Sequence, residues 1–173
     1  MHRQVAAAWA TGSAGRIDLE KGLLHFEAPA KLLEAEPDSP EKAEAYCAFG
    51  LGLMVVLDLE RAHQQGMLAL QIAERLKYPD EGARAGGEVA RYLVYLGELA
   101  QAQEYSERSW AAALQGRDPS VKATAVYWPI IGWPWMNDRA WSGLWLERCL
   151  EYLRTSPTGR PAGPMYGCSA LLA

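Results

Sequence analysis

Leu96-Gly97-Glu98-Leu99-Ala100-Gln101-Ala102-Gln103-Glu104-Tyr105 reads as the end of one helix, a short turn and the start of the next. Upstream of it, Val89, Leu93 and Leu96 recur at three and four residues, which is the amphipathic helix period. Forty residues earlier the same pattern returns. Leu57-Asp58 makes the turn, Leu59 stands where Leu99 stands, and Ala62 stands where Ala102 stands, with Phe49, Leu53, Val56 and Leu57 as the helical stripe before it. Continuing the step in both directions gives a column of four small residues, Gly22, Ala62, Ala102 and Ser142. A second column holds Ala10, Gly50, Ala90 and Ala170, with Ile130 as its exception, and a third holds Pro29, Ala69, Ser109 and Cys149. Just before the first column lies an acidic position, Asp18, Asp58, Glu98 and Asp138, followed by Leu19, Leu59, Leu99 and Arg139. No gap is needed to hold this register.

Small residues at fixed points on successive helices mark crossings, because two helices approach closely only where no bulky side chain holds them apart. The boundaries repeat too, at Pro37-Asp38-Ser39-Pro40, Pro79-Asp80, Asp118-Pro119-Ser120 and the segment from Ser156 to Pro164. Ser39 before Pro40 reads as an N-cap followed by proline at the first helical position, where its missing N–H costs nothing. The spacing predicts helices over about 3–15, 19–35, 40–57, 59–77, 81–96, 99–115, 120–136, 138–154 and 165–173. Strand-like alternation is absent, so the fold class is all-α, with neighbouring helices paired as antiparallel hairpins.

Residues 96–105 resemble the central turn of a tetratricopeptide repeat, and Tyr46, Phe49, Gly50 and Leu53 resemble the aromatic, large apolar, glycine and apolar positions of its first helix. The resemblance implies an α-solenoid, a superhelix of about four helix pairs plus one extra terminal helix. Its units run over about 3–37, 40–79, 81–118 and 120–156, with a partial unit at 165–173, all within one domain spanning residues 1–173. A period of about 40 residues and long second helices are closer to the helical-repeat regions of large bacterial signalling ATPases and transcriptional regulators. In such arrays the first helix of each pair lines a concave groove. Carried over by register, that pattern selects Glu44, Cys47, Leu51 and Met54, then Arg84, Arg91 and Val94, then Thr124, Tyr127 and Ile131. Arg84 and Arg91 lie about two turns apart on one face. They read either as a pair that receives a carboxylate-bearing segment or as surface charges matched to local carboxylates such as Glu88.

Two places depart from the pattern. Pro129 and Pro134 fall inside the first helix of the fourth unit, where proline deletes a hydrogen bond and clashes with the preceding turn, so that helix is expected to kink or break. Ile130 and Arg139 likewise depart from their columns. The other place is the end of the sequence, where Met165 to Ala173 matches a first helix with no second helix after it. The expectation is a piece of a longer protein, which as an isolated fragment buries Met165, Tyr166, Leu171 and Leu172 against another copy to form a homodimer.

Composition narrows the function classes. Half of the 173 residues are apolar, which suits a folded domain, and a net charge of −4 lacks the basic footprint that nucleic acid or an anionic membrane surface requires. Eighteen apolar residues never run together, so no membrane span is expected. Cys47, Cys149 and Cys168 are odd in number and widely spaced, which points to reduced thiols in the cytoplasm. His2, His25 and His63 have no metal-ligand spacing to one another, to cysteine or to carboxylates, and His63 reads as a solvated residue. Nucleotide-loop and nucleophile-elbow patterns are missing, and Thr11-Gly12-Ser13-Ala14-Gly15 follows a helix, so it reads as a turn. No catalytic residue, metal or cofactor is assigned, and no enzyme is expected.

The remaining signal is aromatic. Tyr127, Trp128, Trp133, Trp135, Trp141 and Trp145 fall within nineteen residues. They read either as a pocket or interface or as packing between repeats, and the spacing of four between Trp141 and Trp145 favours packing. The leading expectation is therefore a scaffold or regulatory module that binds a protein or peptide in its groove. The alternative is a sensory module of a bacterial regulator that binds a small apolar molecule among the tryptophans of the fourth repeat.

Overall fold

The computed structural model describes residues 19–136 and 139–155, apart from the side chains of residues 20, 130–136, 139 and 153. Seven helices are present among them and no strand: α1 Leu19–Leu33, α2 Pro40–Val55, α3 Leu59–Leu76, α4 Pro79–Leu96, α5 Leu99–Gln115, α6 Pro119–Met136 and α7 Arg139–Thr155. The expected helices over 3–15 and 165–173 lie outside the described residues, as does the proposed dimer contact at Met165 to Leu172.

The starts of these helices follow from the two sequence columns. α2, α4 and α6 each open on a proline, Pro40, Pro79 and Pro119, at the position where proline's fixed φ suits a helix and its lack of an N–H is harmless. Ser39 caps α2 by accepting a hydrogen bond from the Lys42 N–H at 3.2 Å. Asp118 does the same for α6, its carboxylate accepting from Ser120 N–H at 2.8 Å. α1, α3, α5 and α7 open on Leu19, Leu59, Leu99 and Arg139, the column found from the sequence. The tight turn before α3 turns on Leu57 at φ 61°, and the turn before α5 on Gly97 at φ 84°. The backbone needs a left-handed residue at the same point of both hairpins. Glycine reaches that conformation without cost, and Leu57 reaches it only with some strain.

Every helix packs on its neighbour in sequence, and in addition α2 touches α4 and α4 touches α6. The small columns sit at these contacts. Gly22, Ala62, Ala102 and Ser142 are all buried, and so are Gly50, Ala90, Ala69, Ser109 and Cys149. At the α2–α3 crossing a Cβ on Gly50 would lie 3.1 Å from the carbonyl oxygen of Ala62, so one column rests on the other. Ser109 uses its place in α5 to donate to the Ala83 carbonyl of α4 at 2.7 Å. The core runs along the stack: Phe26, Ala30, Phe49, Leu53 and Tyr92 at one end, Val89, Leu93 and Ala102 in the middle, and Val126, Trp141, Trp145 and Cys149 at the other.

α1 and α2 end at Leu33 and Val55, two residues before the expected bounds, and two further features differ from expectation. α4 starts at Pro79 and not at residue 81, because Pro79 itself takes the first helical position. α6 is helical through both Pro129 and Pro134 to Met136, so of the expected kink or break the break does not occur. Burial explains part of this. Pro129 is buried, and α6 is held from three sides by α4, α5 and α7, so packing maintains a helix that local propensity alone would end. No described helix is long and apolar enough to cross a membrane.

Candidate binding cleft

Glu44 on α2, Arg84 on α4 and Thr124 on α6 occupy equivalent places forty residues apart. Because α2 touches α4 and α4 touches α6, their equivalent faces meet, and a cleft of about 280 Å³ opens there. α2 contributes Ala43, Glu44, Cys47, Ala48 and Leu51, α4 contributes Glu81, Arg84 and Glu88, and α6 contributes Ser120, Val121 and Thr124. Five residues selected from the sequence therefore line one cleft: Glu44, Cys47, Leu51, Arg84 and Thr124. Glu81 and Val121 were not selected, although one helical turn back from Arg84 and Thr124 leads to them.

The other selected residues are placed differently. Met54 packs on the Phe26–Phe49 cluster, Val94 on Val89 and Leu93, and Tyr127 on Val126 and Trp145. Ile131 lies outside the described side chains. Arg91 is only 10 % exposed: it pairs with Glu88, and its guanidinium lies 4.2 Å from the centre of the Trp128 ring. A cation over an indole face is favourable, the more so when little water competes. Arg84 and Arg91 thus do not form a joint carboxylate receptor. Arg91 belongs to the packing between α4 and α6.

Arg84 is also engaged. It donates to the Asp118 carboxylate at 2.6 Å across the α4–α6 contact. Asp118 is in turn fixed by the Ser120 hydroxyl at 2.7 Å and the Ser120 N–H. The Ser120 hydroxyl, ahead of the backbone and Arg84, holds the Asp118 carboxyl below the usual aspartate range, against a smaller opposing effect of burial. The loop before α6 is tied down a second time, since Asp80 at the start of α4 accepts from the N–H groups of Arg117 and Asp118, both at 3.2 Å. Asp80 lies so close over Gly116 that a Cβ there would overlap its carboxylate. Arg84 and Ser120 in the lining are thereby tied into a network of hydrogen bonds around Asp118.

The tryptophans whose side chains are described, Trp110, Trp128, Trp141 and Trp145, pack between helices. Trp145 is completely buried, meeting Trp141 at 5.3 Å and Trp110 at 6.4 Å between ring centres, both edge to face, and Trp141 is 9 % exposed. Trp128 lies beneath Arg91, and Trp133 and Trp135 are outside the described side chains. A wider hollow of about 780 Å³ lies at α5, the start of α6 and α7, lined by Trp110, Leu114, Lys122, Leu144 and Tyr152 among others. It belongs to a single junction between units, whereas the first cleft draws on three successive pairs.

Burial lowers the pKa of the half-buried His63 on α3, which is not part of either cleft. Cys149 is buried and Cys47 half-buried, neither in a disulfide, while Cys168 lies outside the described residues. Among the described residues no three His, Cys, Asp or Glu side chains are placed to share a metal ion. No known protein-family model matches the chain, and no curated protein matches it.

Proposed function

We propose that the chain is a tetratricopeptide-like α-solenoid that acts by binding, as a protein-interaction scaffold or regulatory module that takes a peptide or a neighbouring domain into the cleft of α2, α4 and α6. One observation carries this reading: the first helices of three successive pairs bring equivalent positions, Glu44, Arg84 and Thr124, to the lining of one cleft. A surface assembled by translation of one unit suits an elongated ligand, because each unit adds contacts of the same kind along its length. The half-buried Ala48 and Leu51 supply apolar area, and the polar part of the lining supplies orientation. In a bacterial signalling ATPase or transcriptional regulator, such a module would hold a partner segment near an effector domain.

The experiment is a selection of displayed random peptides on the 173-residue chain, followed by binding to two variants. Clones that lose binding to Leu51→Asp in the cleft and keep it for Leu144→Asp in the wider hollow are the expected result. Clones lost only with Leu144→Asp would move the binding surface away from the first helices and overturn the assignment.

A further inference from the structure

We infer that the hollow at α5, α6 and α7 is a second site, apart from the cleft of the first helices, and that it takes a short apolar peptide of two or three residues with both ends free. Its volume of about 780 Å³ suits a compact ligand, since small-ligand sites span about 300–1,000 Å³. Its lining leaves apolar surface in water: Leu114 of α5 is 57 % exposed and Leu144 of α7 40 %, and the half-buried Trp110 and Tyr152 share the hollow with them. Apolar side chains that meet water from a concave surface favour a ligand that covers them. The Tyr152 hydroxyl donates to the Pro119 carbonyl at 2.8 Å, which fixes where α7 meets the start of α6.

The charges of the lining name the ends of that ligand. Arg148 is already matched: its guanidinium donates to both carboxylate oxygens of Glu107 on α5, at 2.8 and 2.9 Å, and lies 4.5 Å from the centre of the Trp145 ring. The other four are not. Arg117 before α6 and Lys122 in its first turn make no side-chain ion pair among the described residues, and neither do Glu147 and Glu151 on α7. They are sorted by element, with the cations at the start of α6 and the carboxylates on α7. Opposite charges that share a hollow without reaching each other are bridged by a ligand carrying both signs, a carboxylate for Arg117 and Lys122 and an ammonium for Glu147 and Glu151. A free amino acid holds its two charges on one carbon and is too short to join walls that do not pair directly. Each residue of an extended chain adds about 3.3–3.6 Å, so two or three residues set the ends apart and lay the side chains against Trp110, Leu114 and Leu144. A longer chain gains little more here, because the hollow belongs to one junction between units.

The test is equilibrium dialysis of the full chain against trileucine, its N-acetyl and C-amide derivatives, and free leucine. Trileucine is expected to bind, each blocked derivative about fivefold more weakly, and free leucine more weakly than either. Arg117→Gln/Lys122→Gln should weaken trileucine about fivefold and leave the affinity of the C-amide unchanged, because the lost charges and the blocked end belong to one pair. Glu147→Gln/Glu151→Gln should likewise weaken trileucine and leave the N-acetyl derivative unchanged. A variant that merely failed to fold would lose every ligand alike, and thermal melts check the fold independently. Leu51→Asp in the cleft of the first helices should leave all these affinities as they are. No retention of trileucine at about 1 mM would overturn the inference. Blocked derivatives or free leucine that bind as well as trileucine would overturn it too, as would binding that is lost with Leu51→Asp and kept with Leu144→Asp.

Discussion

The middle of the molecule, α2 to α5, and its fourth pair, α6 and α7, solve the same packing problem with opposite materials. In the middle the crossings are set by small residues: Gly50 lies against Ala62, and Gly86 lies against Ser109, where an added Cβ would sit 3.4 Å from the serine Cβ. In the fourth pair Ser142 keeps the small column, but Trp141 and Trp145 fill the space around it and Trp110 reaches over from α5. The helix of that pair also contains Pro129 and Pro134. A proline inside a helix costs about 3 kcal/mol. A buried tryptophan contributes an amount of that order, about 3–5 kcal/mol judged by its truncation to alanine. Close backbone approach holds the middle pairs, and ring volume holds the fourth.

Reciprocal substitutions break this comparison. Trp145→Ala should destabilise the chain by about 3–5 kcal/mol in denaturant melts, because a ring with no exposed surface leaves a cavity that α6 and α7 cannot close. Ala102→Leu should cost less, about 1–3 kcal/mol, by forcing α4 and α5 apart at a completely buried point. A Trp145→Ala variant as stable as the parent, or an Ala102→Leu variant that gains stability, would contradict the assignment of ring packing to one region and close approach to the other.

A smaller effect sharpens the contrast between the two helix starts. Ser39 at α2 is a neutral cap, whereas Asp118 at α6 is a charged one with a depressed pKa. A depressed carboxyl pKa means that the folded state prefers the ionised form. Its contribution is present above the unfolded aspartate value of about 3.9 and is lost as pH falls through the lower folded value. Asp118 is 34 % exposed, so solvent screens it, and Asp118→Asn should cost only about 0.5 kcal/mol at neutral pH. That cost should shrink toward zero in acid, while Ser39→Ala should cost about 1 kcal/mol at neutral pH. Melts that show the same gap for Asp118→Asn at neutral and acid pH would rule out a charge effect.

The fold was legible where backbone chemistry dictates it. A hydroxyl or acidic cap just before proline marked the starts of α2 and α6 within a residue, and the Leu59 and Leu99 column marked the starts of α3 and α5. The continuity of α6 was not legible, since proline acts locally and the packing that overrides it comes from α4, α5 and α7. Within the cleft, the forty-residue register located Glu44, Arg84 and Thr124, because equivalent residues point alike when helices repeat. The match of Arg91 to a local carboxylate, Glu88 three residues before it, was one of the two readings the sequence offered. Its burial against Trp128 was not legible, because that residue lies on another helix and only the tertiary structure joins the two. The tie from Asp80 to Arg117 and Asp118 was hidden for the same reason.

The most direct test of the account is a map of backbone amide shifts in the ¹⁵N-labelled chain as a selected peptide that depends on Leu51 is added to saturation. The shifts should gather on α2 from Glu44 to Leu51, on α4 from Glu81 to Glu88 and on α6 from Ser120 to Thr124. Shifts concentrated instead around Leu114, Leu144 and Tyr152, with the first helices unmoved, would contradict it.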